Sequence, residues 1–385
     1  MAVLAMSLPY WPLYIAKLAD FSPQALRYWS GAIYIAPFLT STLSAPLWGR
    51  LGDKHGYKPM VIRACLGLFI TQTLILFCHD VWLIFLIRLL QGVLAGFIAA
   101  AQAWALAITP ADQSSATIGK LQSATAIGTL LGPLIGASIV MTLGYQAVFI
   151  ASSIICAVIT LVFLLILQNT PVIKSVSKQQ FSILNAKHWQ GAGRFIISLL
   201  IVMIIVQFAR TVITPVFSLF VTEKLGGNEM TVGVLYAATG LMIFVSAPLW
   251  GKFFDAIIRS GDTIHFTLVV LLFACAALQL LQAYAETAAA IFVLRLLWGI
   301  ALGAILPVLL RLVVDQTKQE DRGIFLGLSS SATRMGDLLG ISLGTIIETH
   351  LGYASSFLVI AVLYGLAATL FLWVCVPRVA ERVVP

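Results

Sequence analysis

Four arginines, Arg88, Arg210, Arg295 and Arg334, and the carboxylate Asp337 fall inside long apolar runs. An unpaired charge in hydrocarbon is expensive, so each of these side chains needs a partner or a wet cavity and is a functional candidate by default. Asp337 follows Arg334 by three residues, which places both on one face of a helix. Gln207, Thr211 and Thr214 stand around Arg210 in the chain. Two readings are open. One is a buried ion pair that fixes helix packing. The other is a cavity basic on one side and suited to anionic or zwitterionic solutes, with Arg210 contacting the solute and Asp337 taking up and releasing a proton. A carboxylate held by an arginine parts with its proton too readily to carry one, unless a solute competes for that arginine. Such competition is itself a route to exchange. Arg88 lies near one end of its apolar run, where snorkelling to the interface is the plain alternative to a buried role.

Aromatic and amide side chains accompany these charges. Tyr10, Trp11 and Tyr14 in the first apolar run, Gln91, Gln102 and Trp104 in the fourth, and Phe217 and Trp298 in the second half are candidates to line a cavity. The competing reading is core packing or an interfacial belt. Gly340-Ile-Ser342-Leu-Gly344 matches the G-x-S-x-G pattern of serine hydrolases. That motif needs a strand-to-helix elbow, and here it sits inside an apolar helix. There is no zinc-ligand pattern and no phosphate-binding loop of the usual form. The five cysteines, Cys65, Cys78, Cys156, Cys275 and Cys375, are scattered singly through apolar runs, as small apolar residues would be. No enzyme, no metal and no cofactor is expected, and an intramembrane enzyme is only the remote alternative.

The elements that position these residues are membrane helices. Hydrophobic residues make up 60% of the 385 positions and charged residues 10%, against roughly 25% charged in a soluble domain. A soluble core of this size could not hide that apolar surface, so lipid is the natural solvent. The net charge of +8 does not point to nucleic acid, because the basic residues cluster between apolar runs as in cytoplasmic loops. Runs of membrane length cover 1–18, 29–50, 59–78, 82–106, 118–141 and 146–168, then 195–222, 230–252, 263–284, 288–312, 323–347 and 353–376. The first is interrupted by Pro9 and Pro12 and carries no features of a cleaved leader. This predicts an all-α polytopic protein. It has an N-terminal six-helix bundle (1–168), a basic cytoplasmic linker (169–194), a C-terminal six-helix bundle (195–378) and a cytoplasmic tail (379–385). With both termini in the cytoplasm, most of the 23 basic residues fall on that side and only Lys17, Arg27 and Lys224 on the other.

The halves repeat each other. Ser44-Ala-Pro-Leu-Trp-Gly49 returns as Ser246-Ala-Pro-Leu-Trp-Gly251, with Asp53 and Asp255 at the same offset. Arg88-Leu-Leu-Gln-Gly92 is echoed by Arg295-Leu-Leu-Trp-Gly299, Ser123-Ala-Thr by Ser331-Ala-Thr, and Leu143-Gly-Tyr145 by Leu351-Gly-Tyr353. Four landmarks in order mean two homologous bundles in the same orientation. They imply a pseudo-two-fold axis along the membrane normal and a substrate path between the halves. Asp53 and Asp255, at helix ends, either cap or pair locally, or act as latches that engage the opposite half in one access state. Gly128, Gly132, Pro133 and Gly136 put small residues every four positions, which suits close helix packing with a bend.

Gly49-Arg-Leu-Gly-Asp53-Lys54-His-Gly56-Tyr-Lys58 resembles the loop 2–3 signature of the major facilitator superfamily, departing from it at Tyr57. Arg88, Gly92 and Gly96 look like the helix 4 motif of that superfamily, and Gly128 to Ala137 like the helix 5 motif of its antiporters. The resemblance covers essentially the whole chain and is strongest to the twelve-helix drug–proton antiporter branch. It implies a major-facilitator-type fold with a central cavity. It favours the latch reading of Gly49, Asp53, Lys54, Gly56 and Lys58, with Gly251 and Asp255 as the second copy. It also implies a part for Arg88 in proton coupling, in addition to the one read above for Asp337, and a leak-controlling bend at the helix 5 motif. The expected activity is proton-coupled export of a small organic molecule, drug or metabolite, across a bacterial inner membrane or plasma membrane. The alternative is import of an anionic metabolite or iron-siderophore. Expected partners are a small-molecule substrate, with anionic solutes among the candidates, protons and membrane lipid; the proton gradient supplies the energy. Neither a nucleic-acid partner nor an oligomer is expected.

Overall fold

The computed structural model describes residues 1–94, 96–109, 114–168, 193–259, 264–317 and 322–383. Every regular element among the described residues is helical. Apolar runs this long leave the backbone no water to bond, and the helix satisfies its own N–H and C=O groups. Among the described residues, eight helical stretches are long and apolar enough to cross a membrane by length and composition. One of them, Ile324–Trp373, has 50 residues, enough for two crossings of about 20 residues each.

The first apolar run is not one helix. It divides into α1 (Ala2–Ser7), a 3-10 turn (Leu8–Tyr10) and α2 (Trp11–Ala16), because Pro9 and Pro12 bring no N–H to the ladder. Next come α3 (Pro23–His55), whose start is capped by Ser22 Oγ accepting from Ala25 N at 3.2 Å, and α4 (Tyr57–Ile75). The run expected at 82–106 breaks into α5 (Val81–Leu94) and α6 (Phe97–Ile108) around Gly96, whose φ is +104°. Two longer helices complete the N-terminal half, α7 (Ser114–Leu143) and α8 (Tyr145–Ile166).

In the C-terminal half α9 (Gly193–Thr211) stops short of the expected 222. Pro215 cannot donate to Thr211 O, so the chain tightens into i→i+3 bonds, Thr214 N to Thr211 O at 3.1 Å and Val216 N to Ile213 O at 3.2 Å. It resumes as the single turn α10 (Phe217–Leu219) and a π-turn (Phe220–Lys224). There follow α11 (Glu229–Arg259), α12 (His265–Ala283), α13 (Ala288–Asp315) and α14 (Arg322–Val383), the last broken at Gly352. Residues 169–192 of the expected linker lie outside the described residues, and the segment read as a tail is helical as far as Val383.

Gly144 and Gly352 are repeat mates and make the same turn, with φ of +85° and +79°. A side chain would be strained there, so a change of helix direction is written into both copies of Leu-Gly-Tyr. The chain divides into two compact units, Met1–Gln180 with Gly227–Ala237, and Phe181–Gly226 with Ala238–Pro385. Within the first, α1 packs on α7, α3 on α5, and α4 on α8. Within the second, α9 and α12 both pack on α14.

Candidate functional site

Each unit holds one buried arginine over an aromatic ring. In the first, Arg88 is 4% exposed and its guanidinium lies 5.0 Å from the Trp11 ring centroid. In the second, Arg295 is 6% exposed and lies 3.9 Å from Phe217 and 5.7 Å from Trp298. Trp11 and Phe217 are 206 positions apart and the two arginines 207, so the cation–ring pair belongs to the repeat. Such pairs strengthen when water is excluded. The snorkelling alternative for Arg88 is corrected here: its side chain points into the bundle. Pro37 leaves the carbonyl of Ile33 without its helical donor, and Arg88 Nε donates to that oxygen at 3.1 Å. Arg88 Nη1 donates to Gln91 Oε1 at 2.6 Å. Arg295 Nε instead donates to Thr239 Oγ1 at 3.1 Å.

Around Arg88 the first unit gathers Tyr10, Tyr14 and Gln91, all buried. Tyr14 rests on Trp11 edge-on at 6.1 Å and on Phe149 at 5.1 Å. Tyr10 donates to Pro133 O at 2.7 Å, and Tyr34 donates to Leu8 O, the carbonyl that Pro12 leaves unpaired. Gln102 and Trp104 go elsewhere. They line a separate, largely apolar cavity of about 260 Å³ with Met1, Val61, Phe97 and Phe163, and Trp104 Nε1 donates to Gln168 O at 3.1 Å.

The second unit assembles Gln207, Arg210, Arg334 and Asp337. Gln207 Nε2 donates to Asp337 Oδ1 at 2.7 Å, and the carboxylate feels the charges of both arginines. Among the described residues no ion pair within 4 Å involves Asp337. The expected contact along the helix, Arg334 to Asp337, is thus replaced by an amide from α9, while Arg334 is exposed and Arg210 half-buried. A carboxylate partly held by a neutral donor, with two cations near it, can exchange a proton and can share its cations with an anion.

A model of the Major Facilitator Superfamily matches residues 1–198 and 199–385. The chain belongs to this superfamily. It is 30% identical over 379 residues to the Staphyloferrin B transporter of Staphylococcus aureus, spanning 95% of this chain and 88% of that one. It is equally 30% identical over 377 residues to multidrug resistance protein MdtG of Proteus mirabilis, spanning 95% and 89%. Among solved structures it resembles the nucleoside transporter NupG at a TM-score of 0.75 and 15% identity, covering 97% and 96% of the two chains. A bacterial homologue of the lysosomal transporter Spinster gives 0.77 at 13%, covering 97% and 94%. The protein is therefore an all-helical, multi-pass major facilitator, and its relatives are membrane transporters, not enzymes.

The superfamily motifs can now be placed. Asp53 is exposed and accepts from Tyr57 at 2.7 Å across the Gly56 turn, so the residue at which this chain departs from the motif is the one that holds the aspartate. Asp255 is gripped by Arg311 of α13 at 2.5 Å. A side chain at Gly49 or Gly251 would meet nothing within 4 Å, so local packing does not demand either glycine. Lys54 is exposed and Lys58 half-buried. The helix 5 glycines, by contrast, seat α1: a β-carbon on Gly128, Gly132 or Gly136 would collide with Ala2, Ala5 or Met6. Gly336 and Gly340 seat α9 in the same way, against Ile204 and against Phe208 with Thr211, and Gly344 seats Val212 just past its end.

Two acids were missed. Tyr145 donates to Glu229 Oε1 and its repeat mate Tyr353 to Glu223 Oε2, each at 2.7 Å. The repeated Leu-Gly-Tyr was visible, but nothing local in the chain names its partners. Trp48 and Trp250, also repeat mates, donate to Val93 O at 2.6 Å and Ile300 O at 2.7 Å, which ties each motif helix to the arginine-bearing helix beside it.

Proposed function

We propose that the protein is a proton-coupled secondary transporter that exports a small organic molecule across the bacterial inner membrane by alternating access. The observation that carries the coupling is the Asp337 carboxylate, half-buried within a membrane helix and bonded to Gln207 with Arg210 and Arg334 near it. In this reading Asp337 takes the proton, and the solute competes with it for Arg210. Arg88 holds the N-terminal half in the geometry that the cycle needs, and Asp53 and Asp255 let go of Tyr57 and Arg311 as the access state changes. Export is favoured by the likeness to multidrug resistance protein MdtG and by the helix 5 motif. The two arginines near Asp337 favour an anionic or zwitterionic solute and keep import of an anionic metabolite or iron-siderophore as the second reading.

The test is the purified chain in proteoliposomes with an imposed pH gradient and a panel of anionic and cationic organic solutes. Movement of an anionic solute against its gradient, abolished when the pH gradient is collapsed, is the expected result. Solute movement indifferent to the pH gradient would end the coupling proposal, and the sign of the driven flux decides between export and import.

A further inference from the structure

A groove of about 460 Å³ runs along one face of α4, lined by Lys58, Pro59, Ile62, Arg63, Leu66, Gly67 and Ile70 and closed on one side by Leu94 of α5. Its composition is graded. Both cations stand toward the start of α4, just past the turn at Gly56, and the far end is apolar. Leu66 and Ile70 are 39% and 44% exposed, an apolar face of the kind that suits lipid. Gly67 forms the floor, where a β-carbon would run into Leu94. From Lys58 to Ile70 an α-helix rises about 18 Å, close to the roughly 15 Å depth of one hydrocarbon leaflet.

The Arg63 guanidinium is held in place before any ligand arrives. It lies 3.7 Å over the Trp48 ring, and Trp48 is itself anchored through Nε1 to Val93 O at 2.6 Å. A cation fixed at the edge of an apolar trough is suited to a phosphate oxygen, here as a single contact because Arg63 Nε and Nη1 are buried. The nearest acid of the turn, Asp53, is engaged by Tyr57.

We propose that this groove is a binding site for one anionic phospholipid, with its phosphate between Lys58 and Arg63 and an acyl chain along Ile62, Leu66 and Ile70. Charge chooses the headgroup and the trough chooses a molecule that carries a chain. The site lies wholly in the N-terminal unit and is independent of the solute reading above.

Native mass spectrometry of the full chain in non-ionic detergent, titrated with phosphatidylglycerol or phosphatidylcholine, tests it. The wild type is expected to retain phosphatidylglycerol at least about five-fold better, and Arg63→Gln to lose about five-fold, as one basic residue near a lipid surface contributes. Leu66→Trp fills the trough from an exposed position and leaves both cations, so it is expected to lower retention too; it decides the matter if Arg63→Gln fails to fold. Glycerol phosphate, the headgroup chemistry without chains, is expected not to displace the lipid. Equal retention of both lipids, unchanged retention in Leu66→Trp, or displacement by glycerol phosphate would each overturn the proposal.

Discussion

Gln207 on α9 donates from Nε2 to Asp337 Oδ1 on α14 at 2.7 Å, joining two helices 130 residues apart in the chain. This is a bond from a neutral donor to an ionisable acceptor, and it is the point at which a proton arriving on Asp337 would be felt by the neighbouring helix. Asp337→Asn keeps the shape and removes the charge. It is expected to reduce pH-gradient-driven transport in proteoliposomes to background while solute still moves down its own gradient. Gln207→Leu removes a hydrogen bond to a charged group, worth about 1.5–3 kcal/mol, and is expected to slow driven transport less. If Asp337→Asn pumped at the wild-type rate, this carboxylate would not be the coupling group.

The buried arginines are expected to matter for stability as well. Arg88→Met strips the donor from Ile33 O and Gln91 Oε1, and Arg295→Met strips it from Thr239. Each loss leaves a buried neutral group without its partner, at a cost of about 1–3 kcal/mol. Lysine has no Nε–H and no planar head to lie on Trp11 or Phe217, so Arg88→Lys and Arg295→Lys are expected to recover only part of the loss. Thermal unfolding in detergent measures this. A lysine variant as stable as wild type would show that charge alone, without the fork and the plane, holds the site.

The glycines separate packing from transport. Gly340→Val would drive a side chain against Thr211 and Phe208 O, and is expected to lose most of the folded yield on size-exclusion chromatography. Gly49→Ala and Gly251→Ala meet open space within helices, where alanine is preferred to glycine by about 0.5–1 kcal/mol. Both are expected to fold at least as well as wild type. Any loss of transport in them therefore reports on the moving parts, and full transport in both would remove these two glycines from the proposed latch.

Much of this was legible in the chain, and the failures have a common cause. The twelve apolar runs, the duplicated Ser-Ala-Pro-Leu-Trp-Gly and the paired Arg88 and Arg295 are patterns of composition and spacing, which a linear reading captures. Breaks inside a run are not: Gly96 and Pro215 interrupt helices without lowering the local hydropathy, so 82–106 and 195–222 read as unbroken. Partners across helices are hidden for a related reason. The i,i+3 rule offered Arg334 to Asp337, whereas the bond comes from Gln207. Nor could spacing show that Pro37 and Pro12 each free a carbonyl for a side chain from elsewhere, Arg88 in one case and Tyr34 in the other.

The Asp255–Arg311 pair gives the sharpest handle on the proposed latch. The two side chains meet at 2.5 Å and are 54% and 39% exposed. An ion pair so open to solvent contributes about 0.2–1 kcal/mol, so separating it barely alters folding and leaves transport as the readout. If the pair is made and broken during the cycle, Asp255→Ala and Arg311→Ala should each change the transport rate several-fold while the unfolding midpoint stays put. The double variant should then resemble Arg311→Ala, which also parts Arg311 from Asp315 at 3.7 Å, because removing Asp255 as well takes away a partner already lost. Independent, multiplying effects would mean that the two residues act through different contacts. Unchanged rates in all three variants would leave Asp255 as no more than a surface ion pair.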